Sequence, residues 1–369
     1  MKPFYSSKEN EYQHLRRGIG LSDWQHLSIV QVKGPDALEV VNRLVLSDAT
    51  RIPVGRAAAT FILNPDGSVF ADTYVWNQWE GFFLLAEGPA PGALLEFVHA
   101  HGKPSTQTSV IDAADRLRIF SIDGPFAWEL LKELIGVKIL GLRYLEVMSQ
   151  QSIGGVPVEI LRAGKTGEFG YLVVCPAASA DKVWTALVEK GKDFDAAQCG
   201  QEALDLCRLE NRFISMQREG TKASNALELN CRIMIGRDKE DYVAADAIQK
   251  ALAGGVGKRL IGLVLDAPGE FPIEAGAVVG YKNKVVGEIV AADYSYVLGR
   301  QIAVAFIEND YAYVGCPYDI ETIAGARPAH TVSAPFIFNK SMTVRPQEHS
   351  FFTVDWTFSM SAVASSCPI

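Results

Sequence analysis

The apolar positions of this chain fall into two rhythms, short β-favouring runs and stretches with helical spacing, and the two alternate. A first helix is expected over residues 9–17. The strand Ser28-Ile29-Val30-Gln31-Val32 is followed by Gly34-Pro35-Asp36 and an amphipathic helix over 37–45, with Asp36 as a cap candidate. The same grammar returns about ninety residues later. A strand over 117–122 leads through Asp123-Gly124-Pro125 into a helix over 126–134. Residues 156–175 read as strand, Gly-rich turn, strand, and a helix over 180–190 follows. Strand, Gly-Pro, helix twice over predicts two related α+β halves.

After Arg259 the rhythm changes. Residues 260–265, 277–279, 284–290 and 302–307 are short strands separated by turn signals, which predicts a small antiparallel barrel or sandwich. The segment from Phe351 to Ile369 is apolar and aromatic. It offers an extra strand, a cover for a groove or a contact for a homodimer.

The segment from Ile62 to Val75 carries the first chemistry. Asn64-Pro65-Asp66-Gly67 supplies a turn between two strands. In the returning strand, simple alternation puts Asp72 on one face with Phe70 and Tyr74. A carboxylate among aromatics is either desolvated for a purpose or stands at a wet rim.

Composition narrows the function classes. The 369 residues suffice for two or three domains, with 48% apolar and 21% charged residues. A net charge of -8 and the lack of a Lys/Arg run argue against nucleic-acid binding. No apolar run reaches a membrane-spanning length, and the first residues do not form a signal peptide. A cytoplasmic protein is the expectation. The six cysteines include no Cys-x-x-Cys pair, so neither a zinc site nor a disulfide framework is expected. Gly254-Gly255-Val256-Gly257-Lys258-Arg259 lacks the first glycine and the Ser/Thr of a phosphate loop and reads as a linker. His99 and His101 have no third ligand near them, so no metal is predicted.

Several segments, taken in order, resemble the aminomethyltransferase family, which comprises the glycine cleavage T-protein and its folate-dependent demethylase relatives. Residues 21–27 (Leu-Ser-Asp-Trp-Gln-His-Leu) are similar to its Phe-Asp-x-Ser-His-Met stretch, and residues 63–72 to its Leu-Asn-x-x-Gly-Gly-x-x-Asp-Asp turn. Gly124-Pro125, Thr166-Gly167-Glu168-Phe169-Gly170-Tyr171 and Asp205-Leu206-Cys207-Arg208-Leu209-Glu210 keep the family's order, as do barrel segments at 260–265, 287–289 and 298–299. The resemblance spans residues 5–344.

It implies an α+β fold: two interlocked ferredoxin-like α/β halves around a central channel, over residues 1–255. A C-terminal antiparallel β-barrel over 256–346 and an aromatic extension over 347–369 complete it. It implies one-carbon, methyl or methylene, transfer or demethylation of a small organic substrate with tetrahydrofolate as acceptor. Asp72 would be the catalytic carboxylate, with His26 as a second acid/base candidate. Arg208 and Tyr74 would hold the cofactor. Lys165, Leu172 and Glu168, read from this chain's own residues, are the candidate substrate contacts. Asp205 and Glu210 flank Arg208 and are candidates to orient it. Glu168 also reads as the tie of a Gly-rich turn.

Two positions depart from the family. Lys165 stands where it has a tyrosine, and Leu172 where it has a glutamate that takes two hydrogen bonds from the pterin. Leucine accepts none, and unpaired buried donors cost about 1–3 kcal/mol each. The alternative reading on the same scaffold is therefore a folate-independent lyase. It would use acid/base chemistry at Asp72 or His26 on a small aromatic substrate and release formaldehyde, with Lys165 and Arg208 gripping a carboxylate or phenolate.

Overall fold

The computed structural model describes residues 1–353. After α1 (Lys8–Arg17) and β1 (Gly20–Asp23), the first half runs β2 (Ser28–Lys33), α2 (Ala37–Leu44), β3 (Arg56–Leu63), β4 (Val69–Gln78), β5 (Gly81–Glu87), α3 (Ala93–Phe97) and β6 (Ser109–Asp112). The second half repeats the order. It runs β7 (Leu117–Asp123), α4 (Ala127–Ile135), β8 (Val147–Ile153), β9 (Val156–Leu161), β10 (Gly170–Pro176), α5 (Ala180–Gly191) and β11 (Ala197–Gln198). Two helices, α6 (Gln201–Asn211) and α7 (Ala245–Gly254), lead to the barrel.

The sheets reveal how the halves interlock. The first is ordered β3-β4-β5-β2-β6 and the second β11-β1-β7-β10-β9-β8. The two orders match strand for strand except at β1. That N-terminal strand lies between β7 and β11, antiparallel to one and parallel to the other. The start of the chain thus completes the sheet of the second half.

Both Gly-Pro signals sit where the backbone requires glycine. Gly34 has φ +135° and Gly124 φ +132°, and a Cβ on Gly124 would come within 2.3 Å of the Gly18 carbonyl oxygen. The helices that follow bury the residues their spacing selects: Ala37, Val40, Val41 and Leu44 in α2, and Ala127, Leu130 and Leu131 in α4. Asp36 does not cap α2 through its side chain. Its carboxylate accepts instead from the Ser105 amide at 2.9 Å, tying a distant loop to the helix start.

The result is a layered body. Helices α2 and α3 cover the outer face of the first sheet, and α4 and α5 that of the second. The inner faces meet in an apolar middle layer that includes Trp24, Tyr74, Trp76, Leu85, Leu161 and Leu172. A closed antiparallel barrel follows, from β12 (Lys258–Leu265) through β13 (Val278–Tyr281), β14 (Lys284–Ser295), β15 (Arg300–Glu308) and β16 (Pro317–Thr322) to β17 (Gly325–Val332). The glycine-rich stretch before Arg259 joins α7 to β12 as a linker.

Phe351 and Phe352 pack on Phe194, with the Phe351 amide on the Glu129 carboxylate at 2.6 Å. The remainder of the aromatic extension read from the sequence lies outside the described residues.

Candidate functional site

The turn before β4 forms as its residues dictate. The Gly67 amide donates to the Asn64 carbonyl at 2.9 Å, and Asp66 takes the Ser68 amide at 3.0 Å. The alternation along β4 then breaks. Leu63 pairs with Val69 and Ile62 with Ala71, so Phe70 is the extra residue of a β-bulge. Phe70 stacks on Phe97 at 4.2 Å, beneath α3, and does not share the face of Asp72 as simple alternation implied. Tyr74 does share it.

On that inner face four charges close on one another. The Lys165 ammonium pairs with Asp72, and the Arg208 guanidinium grips Glu87 in a two-point fork, at 2.5 and 2.9 Å. Asp72 and Glu87 are direct cross-strand partners on β4 and β5. All four side chains are nearly buried, with residues 5–8% exposed. Such a quartet is neutral as a whole, which is how charges survive in a dry place.

The Glu87–Arg208 pair leaves a trace in proton affinity. Burial alone would raise Glu87, but Arg208 outweighs it and brings the carboxyl down to about 2. Burial pulls Arg208 down, and Glu87 more than compensates, holding it firmly charged.

Neighbours complete the site. The Lys165 ammonium also stands 5.4 Å over the Tyr74 ring, whose hydroxyl donates to the Gly164 carbonyl at 3.2 Å. Burial raises the Tyr74 phenol well above its ordinary value, with Tyr144 and Asp72 adding to it. His26 lies at 5.7 Å from the Trp24 ring, with its Nδ1 buried and without a hydrogen-bond partner among the described residues. Burial lowers its pKa, Glu87 opposing and Arg208 adding, so the ring is neutral at pH 7 and available as a base or donor. Asp72 keeps one oxygen, Oδ1, with no hydrogen-bond donor among the described residues.

Asp72, Tyr74, His26, Lys165 and Arg208 are thus brought to one site. Two residues stand apart. Leu172 has no exposed surface and packs in the middle layer, offering a wall rather than a contact. The Glu168 carboxylate is spent on the Lys340 amide (3.1 Å), the Ser341 amide (2.8 Å), the Ser341 hydroxyl (2.5 Å) and Arg16 (3.4 Å). It ties the turn after Lys165 to the segment that follows the barrel.

Neither Asp205 nor Glu210 hydrogen-bonds Arg208, although the Asp205 charge adds to the field that keeps it protonated. Asp205 accepts from Gln201 at 2.9 Å, and Glu210 serves Arg16, Tyr12 and Ser295. The orienting residue is Glu87, which the sequence reading missed together with Tyr144 and Cys231. Tyr144 and Cys231 lie close enough to Asp72 for its charge to add to the burial that raises their pKa values. Only the strand register could have found Glu87. Among the described residues no group of His, Cys, Asp or Glu is arranged to hold a metal, and no helix is long and apolar enough to cross a membrane.

Two related halves, an N-terminal strand that locks them, a closed barrel and a buried polar centre define an α+β protein of the GCVT-like fold class. The chain belongs to the aminomethyltransferase (glycine cleavage T-protein) family: residues 2–239 match the GCVT N-terminal domain, and residues 258–337 match the glycine cleavage T-protein C-terminal barrel domain. It is 26% identical over 334 residues to the aminomethyltransferase of Bacillus subtilis (strain 168), covering 90% of this chain and 91% of that protein. The aminomethyltransferase of Thermotoga neapolitana is 27% identical over 337 residues, with 91% of each chain covered. In architecture it is similar to the crystal structure of glycine cleavage system aminomethyltransferase T from Bartonella henselae, with a TM-score of 0.75, 20% identity and 90% of each chain covered. The coarse activity is that of a transferase enzyme of one-carbon metabolism, in a family whose acceptor is tetrahydrofolate.

Proposed function

We propose that this chain moves a one-carbon unit, methyl or methylene, from a small organic substrate to tetrahydrofolate, with Asp72 as the working carboxylate. The single observation that carries this reading is the state of Asp72. It is nearly buried, one oxygen is held by Lys165, and the other is uncommitted. A carboxylate so placed orients an amine and stabilises positive charge that develops on it.

The residues present fit tetrahydrofolate at its amine-bearing end, through Asp72 Oδ1. Arg208 and Glu87, already locked together, present a rigid polar edge beside it. When bound, the folate supplies the nitrogen that accepts the one-carbon unit. The chain's own part is to hold charge in place. Lys165 fixes the orientation of the Asp72 carboxylate, Tyr74 packs beneath the ammonium, and the apolar layer around Leu172 keeps water from the pair. His26, whose Nδ1 has no hydrogen-bond partner among the described residues and which lies near Glu87 and Arg208, would serve as the chain's own proton acceptor or donor.

One observation favours the second reading, acid/base lyase chemistry on a small aromatic substrate without folate. Position 172, where the pterin would be read, offers no polar atom and no exposed surface. Calorimetric titration of the purified protein with tetrahydrofolate separates the two. Micromolar binding, retained in Asp72→Asn while turnover falls a hundredfold or more, is expected for folate-linked transfer. No heat of binding to the unchanged protein would sink that reading and turn the search to formaldehyde release from aromatic substrates.

A further inference from the structure

We propose that the cavity where the end of α6 meets the barrel is a binding site for a small anion, a carboxylate or phosphate group held by Arg212. The proposal is independent of the one-carbon reading. The cavity measures about 590 Å³, and its walls include Arg212, Asn230, Arg259, Leu260, Tyr313 and Ser333. Among the described residues two guanidinium groups line it and no carboxylate does.

The backbone at Arg212 is the first sign that this side chain is there for a reason. Its φ of +60° is the left-handed conformation that ends α6, a position glycine takes most readily. An arginine there sets the side chain against the barrel at a conformational cost. The barrel is shaped to receive it. A Cβ on Gly262 of β12 would come within 2.6 Å of Arg212 Nη1, so the absence of a side chain at 262 makes the room.

Once there, the guanidinium is under-used. Nη2 donates to the Leu260 carbonyl at 3.2 Å, and the Phe336 ring lies 5.9 Å away. Among the described residues Nε is buried with no acceptor, and Nη1 has none either. A buried donor left unpaired in a native fold, here Nε beside an open Nη1, calls for an explanation such as a missing ion. Glu219, the carboxylate that acts on Arg212, is engaged with the Ser215 amide at 2.8 Å and lies 3.8 Å from Arg218. Burial accordingly draws the Arg212 pKa down to about 10, with Glu219 and Cys231 opposing only in part. Arg259 adds a second positive charge, with no ion pair among the described residues. It bonds two amide oxygens, Asn309 Oδ1 at 2.6 Å and Asn230 Oδ1 at 3.3 Å. A planar anion with two oxygens matches the guanidinium fork, and the cavity's two positive charges lack the counter-charge it would bring.

The probes are inorganic phosphate and succinate, added to the full chain at constant ionic strength with sodium chloride as reference, and read by thermal denaturation and calorimetry. At least one of the two is expected to raise the melting temperature where chloride does not, and which one does so identifies a phosphate or a carboxylate ligand. Arg212→Gln is expected to lower the affinity tenfold or more. If Arg212→Gln does not fold, Arg259→Gln, altered at an exposed position, is expected to weaken binding severalfold. No response to either anion beyond chloride would overturn the proposal. So would an undiminished response in Arg212→Gln or, where that variant does not fold, in Arg259→Gln.

Discussion

Two buried carboxylates set the pH limits of this fold from opposite sides. Glu87 is held at about 2 by Arg208, against an ordinary 4.5. Its contribution, on the order of 3 kcal/mol, is present above pH 4.5 and is lost as pH falls towards 2. Asp123 runs the other way. Burial pushes it from 3.8 up to about 6, although the Ser121 and Thr166 hydroxyls donate to it. The fold therefore prefers it protonated, and stability present below pH 3.8 is lost as pH rises through 6. Melting temperatures between pH 2.5 and 7 test both limits. Asp123→Asn should flatten the decline between about pH 4 and 6. Glu87→Gln should remove the acid limb while costing about 3–5 kcal/mol at pH 7, because it leaves Arg208 without a carboxylate. Profiles parallel to that of the unchanged protein would show that these groups do not govern the pH dependence.

Among the elements, α1 does more than its short length suggests. It delivers Arg16, fully buried, into a cluster reached from three other segments. Arg16 donates to Glu210 of α6 at 2.5 and 3.0 Å, to the Thr166 carbonyl at 2.8 Å, to Asn339 at 3.1 Å and to the Cys207 carbonyl at 3.2 Å. Lysine has the charge but not the planar fork, so Arg16→Lys should destabilise by about 3 kcal/mol, read from the urea midpoint. A shift under about 0.5 kcal/mol, ordinary for a surface change, would show the cluster to be dispensable. The helix itself was legible in the sequence, as were α2 and α4, because periodic apolar positions carry their own signal. The cluster was not, since Arg16, Glu168 and Glu210 are joined only by tertiary packing. The site divides in the same way. Asp72 and Arg208 lay in segments with a recognisable order. Glu87 ends β5, whose Phe82-Phe83-Leu84-Leu85-Ala86 run has no alternation to give its strand or its inner face away. The bulge that turns Phe70 outward likewise depends on pairing, which a single strand does not encode.

At the scale of the whole molecule, the change in composition near Arg259 marks the start of the barrel but not an independent folding unit. One apolar core runs through Leu15 of α1, Leu209 of α6 and Ile248 of α7 into Val264, Val304 and Phe336 on the barrel side. The chain then returns from the barrel to the paired sheets. The Phe336 amide donates to the Glu210 carbonyl at 2.7 Å, and Glu168 takes the amides of Lys340 and Ser341. Separating the two parts would bare apolar surface on both, at roughly 25 cal/mol for each Å² exposed, and would strip partners from buried Glu168 and Glu210. Neither part has a reason to persist after the other melts. Differential scanning calorimetry at neutral pH should therefore show one transition whose calorimetric and van't Hoff enthalpies agree. Two resolved transitions, the first assigned to the barrel by loss of hydrogen-exchange protection in β12–β17 alone, would show that the shared core is too weak to make the molecule one cooperative unit.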